Sequence, residues 1–251
     1  MIPFNRRHVI KQVMVIIFIV FLFMACGEDS QEKWVNLFDG KTFNGWRGLG
    51  RMEIPEGHWV IEDGCIKKVA TSEVPKNDEG EPLPGGDITT VDTYRDFELY
   101  FEWRISKGGN NGVKYNVSEE MSASRGSKYS ALGFEYQVID DVNYEGSLSE
   151  KQRAAALYDI CPAKNATLKP VGEFNSSRIV FKGNHGEHWL NGVKVLEYEL
   201  GTAHFDSLIA ESKFRDIPNF AQKRKGHIII QDHHDAVWYR NLKIRLLKSE
   251  E

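Results

Sequence analysis

The chain has 251 residues, of which 41% are hydrophobic and 27% charged, and its formal net charge is −4. That balance is too apolar for a disordered polypeptide, and the acidic excess gives no basic footprint for nucleic acid. The length suits one large domain or two small ones.

Asn5–Lys11 carries Arg6, Arg7 and Lys11, and Val13–Ala25 is an unbroken apolar run. The order basic, apolar, small reads as a secretion signal over residues 1–25. The run falls short of the roughly 20 residues a membrane span needs. Removing residues 1–25 leaves 226 residues, and the loss of three cations against 36 acidic residues takes the charge to −7. Phe23-Met-Ala-Cys26 is similar to a lipoprotein-processing box, with Phe23 in place of the usual aliphatic residue. Cys26 is therefore the expected lipidation site, and the expected location is the cell envelope, facing the periplasm or the outer-membrane surface. The membrane would be touched through the N-terminal lipid only. An ordinary signal with Cys26 as a bystander is the alternative. Residues 26–33 read as a tether and 34–248 as one domain. Cys65 and Cys161 could bridge in an oxidising compartment or be buried thiols.

From Trp34 onward, short strands are punctuated by Gly, Asn and Asp. Trp59–Gly64 leads from a strand into an Asp-Gly turn, and Pro75, Pro82 and Pro84 make 71–86 a long loop. Phe97–Arg104 alternates: Phe97, Leu99, Phe101 and Trp103 share one face, with Glu98, Tyr100, Glu102 and Arg104 on the other. Gly108–Gly112 reads as a hairpin connection. Gly112–Val117, Phe134–Ile139, Arg178–Lys182, His188–Leu190, Lys194–Glu199, His227–Gln231 and Trp238–Leu247 are further strands. Leu190-Asn-Gly-Val193 marks a hairpin, and His185 and His188 look like loop residues. Helical patterning is confined to Ser149–Leu157 and Asp206–Phe214. The expected fold is all-β, an antiparallel two-sheet sandwich.

On Phe134–Asp141, period 2 puts Glu135, Gln137 and Ile139 on one face, with Asp140 opposite unless a bulge re-aims it. Polar residues on a sheet face must be wet or hydrogen-bonded. Glu102 and Arg104 could line the same cleft, or all four could belong to a solvated face with cross-strand ion pairs. Gln231–Trp238 gathers His233, His234, Asp232 and Asp235 at a strand end, which suits proton transfer or part of a metal shell. Tyr158 follows three alanines, where packing is the plainer reading. No nucleophile elbow, phosphate loop or dinucleotide fingerprint is present.

The series Trp34-Val-Asn-Leu-Phe-Asp-Gly-Lys-Thr-Phe-Asn-Gly-Trp46, Gly86-Asp-Ile88, Phe97–Ile105, Asn110–Val113, Glu135–Asp140, Ala156–Asp159, Trp189–Gly192, Gly226–His233 and Val237–Arg245 resembles the 3-keto-disaccharide hydrolase family across nearly the whole domain. The resemblance implies a concanavalin A-like jelly roll with a cleft on one sheet. It implies action on an oligosaccharide or glycoside already oxidised at C3 by a partner oxidoreductase. Glu135-x-Gln137-x-x-Asp140 is similar to the acidic motif of laminarinase-type glycosidases, whose two carboxylates form a glycosyl-enzyme. Gln137 stands where that motif has its middle acid, so the retaining mechanism is not carried over.

A C3 ketone acidifies the C2 hydrogen, which opens a route by proton abstraction and elimination at C1. That route needs a base, an acid and an enolate-stabilising group. The expected catalytic residues are Glu135 and His233, with Asp140 beside them. Arg104, Gln137, Glu102, Lys182, Tyr158 and Gln231 are the expected substrate contacts. A divalent metal near His233 or Asp140 could replace a cationic side chain. A non-catalytic carbohydrate-binding lipoprotein on the same sandwich is the competing reading.

Overall fold

The computed structural model describes residues 33–124 and 130–248. Cys26 and the signal-like segment lie outside them. Two antiparallel sheets face each other. The larger runs β11 (Val193–Glu199), β10 (His185–Leu190), β9 (Asn175–Lys182), β6 (Phe97–Ile105), β13 (Val237–Leu246), β4 (Cys65–Lys68) and β3 (Trp59–Glu62), with β1 (Val35–Asn36) also on β13. The smaller runs β2 (Trp46–Gly48), β5 (Ile88–Thr90), β12 (His227–Ile230), β7 (Asn110–Val117) and β8 (Phe134–Ile139).

The alternation read along Phe97–Arg104 is the reason β6 sits mid-sheet. Phe97, Leu99, Phe101 and Trp103 are buried to 1% exposure or less, and Tyr100, Glu102 and Arg104 are half-exposed. Ile179 and Phe181 of β9 and Val237 and Tyr239 of β13 join that layer. Across it stand Val113 and Tyr115 of β7, and Phe134, Tyr136 and Val138 of β8. Phe101 meets Tyr136 edge-on at 5.5 Å between centroids, a geometry the ring quadrupoles favour.

Several buried polar groups tie the two sheets together through hydrogen bonds, as burial favours. The Trp103 indole donates to Ser177 Oγ at 2.8 Å, which donates to Tyr136 at 2.8 Å. Tyr239 donates to Asn111 Oδ1 at 2.8 Å, tying β13 to β7. His188, fully buried, has Nδ1 2.9 Å from the Ala155 carbonyl and Nε2 2.9 Å from the Tyr115 hydroxyl. A carbonyl only accepts, so Nδ1 carries the proton and Nε2 accepts from Tyr115. Burial pushes the His188 pKa down to about 4. The strand expected over His188–Leu190 begins at His185, so His185 and His188 both belong to β10 and neither lies in a hairpin loop.

The Asn191-Gly192 turn has φ of 49° and 83°, positive at both central positions as a two-residue hairpin of this twist demands. Gly108–Gly112, by contrast, is no hairpin: it carries the chain from β6 in the larger sheet to β7 in the smaller one. The helix expected over Ser149–Leu157 shrinks to one 3₁₀ turn, Glu150–Gln152. The edge of β8 takes the following residues instead. Ala155 N donates to Gln137 O at 2.9 Å, Gln137 N to Ala156 O at 3.1 Å and Tyr158 N to Glu135 O at 2.9 Å. The helix expected over Asp206–Phe214 starts and stops earlier, as α2 (Ala203–Ala210), capped by Thr202; α1 (Glu119–Ser124) carried no helical signal. Cys65 and Cys161 are both buried free thiols. Among the described residues no helix is long and apolar enough to cross a membrane.

Candidate functional site

The smaller sheet's outer face carries the unusual polarity. Alternation along β8 sends Tyr136 and Val138 into the core and Glu135 and Gln137 outward. The register sets Lys114 opposite Glu135 and Gly112 opposite Gln137. All three side chains are nonetheless buried: Glu135 is 8% exposed, Lys114 4% and Gln137 1%. Gly112 makes the arrangement possible, because a Cβ there would collide with Oε1 of Glu135. The carboxylate lies over the bare backbone of β7.

The Glu135 carboxylate makes no hydrogen bond among the described residues, and Lys114 Nζ stands 4.0 Å from its Oε2. Burial raises its pKa, against the opposing pull of Lys114 and Lys213. Lys114 is itself fixed: Nζ donates to the Ala131 carbonyl at 3.0 Å and stands 3.6 Å from Asp87 Oδ2. Asp87 in turn accepts from Ala131 N and Asp232 N, both at 2.8 Å. Gln137 donates through Nε2 to Asn110 Oδ1 at 3.0 Å, and its Oε1 is buried without a partner. A buried unsatisfied acceptor costs stability, and this one is open to a hydrogen-bond donor.

The strand added alongside β8 brings Tyr158 to the same place. Its ring lies 4.1 Å from Lys213 Nζ, and burial followed by the charge of Glu135 raises its pKa. Lys213 is anchored by its backbone N–H, which donates to Asp159 at 2.7 Å. Its residue surface is exposed, yet shielding of the ammonium lowers its pKa despite the attraction of Glu135.

On the other flank, Gln231 follows β12, its N–H donating to Gly112 O at 3.1 Å. His233 has Nδ1 buried with no partner. Burial lowers its pKa first, the neighbouring His234 second. Asp232 anchors the segment: Lys68 Nζ is 3.0 Å from Oδ1, His58 Nδ1 is 3.0 Å from Oδ2, and Gly86 N donates to Oδ2 at 2.5 Å.

The structure therefore brings Glu135, Gln137, Tyr158, Gln231 and His233 to one sheet face and sets four expected residues elsewhere. Asp140 is a loop clamp. Its oxygens accept from Gly108 N and Asn143 Nδ2 at 2.8 Å, Val142 N at 3.2 Å and Asn143 N at 3.3 Å. Burial works to raise its pKa, but these bonds hold it below the usual carboxylate range. Glu102 and Arg104 belong to β6 in the larger sheet and face away from the cleft. Arg240 Nε donates to Glu102 at 2.7 Å, and the Arg104 guanidinium lies 4.7 Å from the Trp238 ring. Lys182 ends β9 in that same sheet. For Glu102 and Arg104, strand periodicity gave the face but not the sheet.

Lys114, Asp87, Asn110 and Lys213 are the site members the sequence reading missed. Lys114 was discoverable from Gly112-x-Lys114, small then cationic on one strand face. Lys213 lies in a loop with no such pattern.

The donor set does not fit the expected metal. Asp140 is held by four N–H groups, and although the His234 ring packs 4.9 Å from that of His233, no group of three ligand atoms gathers there among the described residues. The three-ligand cluster that does exist, His185, Glu187 and Glu197, sits on the larger sheet. Lys194 already pairs there with Glu187 at 3.3 Å and with Glu197 at 2.5 Å.

Comparison with known proteins fits this geometry. A protein from Bacteroides thetaiotaomicron named 3-keto-disaccharide hydrolase is 37% identical over 238 residues, covering 86% of this chain and 79% of that one. A solved Parabacteroides distasonis structure, provisionally named a glycosyl hydrolase, superposes with a TM-score of 0.73 at 30% identity, covering 86% of this chain and 95% of its own. The laminarinase catalytic domain of Thermotoga petrophila, 10% identical with a TM-score of 0.50, covers 88% and 100% and shares the fold. Residues 33–245 match the family model described as a 3-keto-alpha-glucoside-1,2-lyase-like domain, and the chain belongs to that family.

Proposed function

We propose that the protein cleaves 3-keto-glycosides, 3-keto-disaccharides among them, by proton abstraction at C2 followed by elimination at C1. The observation that carries this reading is Glu135: a buried carboxyl without a hydrogen bond, its pKa raised, 4.0 Å from a fixed ammonium. Such perturbed groups are characteristic of proton-transfer sites.

The base removes the C2 proton, and the C–H electron pair forms the C2=C3 enolate, with negative charge on the C3 oxygen. That charge then collapses to restore the C3 ketone while a C1=C2 double bond forms and the C1–O bond to the aglycone breaks. The departing oxygen takes a proton. Water then adds, hydroxyl to C1 and hydrogen to C2, and completes net hydrolysis. Glu135 and His233 carry the two proton transfers in this reading. Lys114 offsets enolate charge, a donor role worth far more in a shielded site than in water. Gln137 and Tyr158 hold sugar hydroxyls. The substrate's ketone calls for an upstream C3 oxidoreductase.

The same reading places the domain on a lipid anchor at Cys26 in the cell envelope. Radiolabelled palmitate incorporation that is lost in Cys26→Ser tests that part.

The function is tested by mixing residues 27–251 with a chromogenic 3-keto-glucoside and its unoxidised parent. Release from the keto sugar alone supports the proposal. Release from neither, with measurable binding of plain glycans, would replace it with a carbohydrate-binding role.

A further inference from the structure

The outer face of the larger sheet, remote in topology from Glu135, carries a second organised surface. Cross-strand register lines up Lys194, Trp189, Arg178, Tyr100 and Lys243 in one row across β11, β10, β9, β6 and β13. At the usual spacing between paired strands the row is about 19 Å long. Cations and rings alternate along it. The Arg178 guanidinium stacks 3.7 Å from the Trp189 ring, and Lys243 Nζ stands 4.8 Å from Tyr100 and 5.1 Å from Trp34. Trp34, Tyr100, Trp189, Arg178 and Lys243 surround a cavity of about 330 Å³, a volume in the range of small-molecule sites.

Charge separates this groove from an ordinary solvated face. Buried Glu98 is shared by two guanidiniums, accepting from Arg178 at 2.9 Å and from Arg245 Nε at 2.6 Å. Lys243 touches only aromatic rings and pairs with no carboxylate among the described residues. At the Lys243 end of the row three cations, Arg178, Arg245 and Lys243, therefore face one carboxylate, Glu98, whereas at the other end Lys194 is offset by Glu187 and Glu197, and Glu187 also accepts from the Trp189 indole. Half-exposed indoles offer flat apolar faces to sugar rings, and an unpaired ammonium between them offers three donors.

We propose that this groove is a second carbohydrate site, taking a short oligosaccharide of the uronate class. Ring faces stack on Trp189 and Trp34, and a carboxylate meets Lys243. The inference stands independently of the chemistry assigned to Glu135.

Calorimetric titration at low salt with tri-galacturonate and its carboxyl-reduced counterpart tests it, on wild type, Lys243→Gln, Trp189→Ala and Glu135→Gln. The acidic trimer should bind wild type and Glu135→Gln alike. Binding should weaken about tenfold or more in Lys243→Gln, the loss expected for one charged contact, and also fall in Trp189→Ala. The reduced trimer should bind wild type about tenfold more weakly. Lys243→Gln keeps a polar side chain at a half-buried position, so its result does not depend on whether Trp189→Ala folds. Equal affinity for the two trimers would overturn the acidic class. Absent binding, or binding lost only in Glu135→Gln, would overturn the site.

Discussion

Acidification should destabilise the fold through His188, and the effect can be worked from its surroundings. The imidazole is fully buried, and its pKa is pushed down to about 4 from an ordinary 6.5. Between those values the unfolded chain binds a proton that the folded chain refuses, so stability is complete above pH 6.5 and falls as pH drops through the window. The 2.5-unit gap corresponds to about 2 kcal/mol lost by pH 5 and about 3 kcal/mol by pH 4. The loss reaches the site, because His188 donates to the Ala155 carbonyl. Ala155 opens the segment that pairs with β8 and places Tyr158 beside Glu135. Urea unfolding of the wild type and His188→Gln at pH 7, 6, 5 and 4 reads it directly. The variant should be less stable at pH 7, having lost a buried ring and its bonds, but its slope between pH 6.5 and 4 should be shallower. Parallel slopes for the two proteins would refute the assignment.

Further outcomes follow from the same geometry. Gly112→Ala should displace Glu135 from its seat over β7, costing about 1–3 kcal/mol from overpacking in a melt and lowering kcat more than KM in the keto-glucoside assay. Glu135→Gln should reduce kcat about 10²–10⁴-fold while leaving the melting temperature near that of the wild type; full activity would remove Glu135 from the mechanism. Asp232→Ala strands the fully buried ammonium of Lys68 and should cost about 3–5 kcal/mol in urea unfolding. Lys68→Met added to Asp232→Ala should recover part of that loss.

The sandwich was legible because its signals are local. Period 2 in Phe97–Arg104 and the Asn191-Gly192 turn each report on a few consecutive residues, and the structure keeps both. The family resemblance, carried by an ordered series of short motifs, was legible for the same reason. Connections were read less well. Gly108–Gly112 looked like a hairpin because glycine and asparagine permit a turn whether the next strand joins the same sheet or crosses to the other. Ala154–Ala156 looked helical, but the open edge of β8 offered hydrogen bonds that outweighed alanine's propensity. The site was half legible. Glu135 and Gln137 declared themselves as polar residues facing out from a buried strand, and His233 by its place after β12. Their cationic partners depended on register, which brings Lys114 across from Glu135, and on a loop that returns Lys213 from about 80 residues later. Glu102 and Arg104 had the expected polar facing but lie on the other sheet, as does the strand that ends at Lys182, a distinction no single strand encodes.

The central claim is that the bond at C1 breaks through loss of the hydrogen at C2. Cleavage of a 3-keto-glucoside deuterated at C2 tests it most directly, with the product's isotope content read by mass spectrometry. The account predicts slower release from the deuterated substrate and exchange of the C2 label for solvent hydrogen in the product. Release at equal rates with the label fully retained would contradict it.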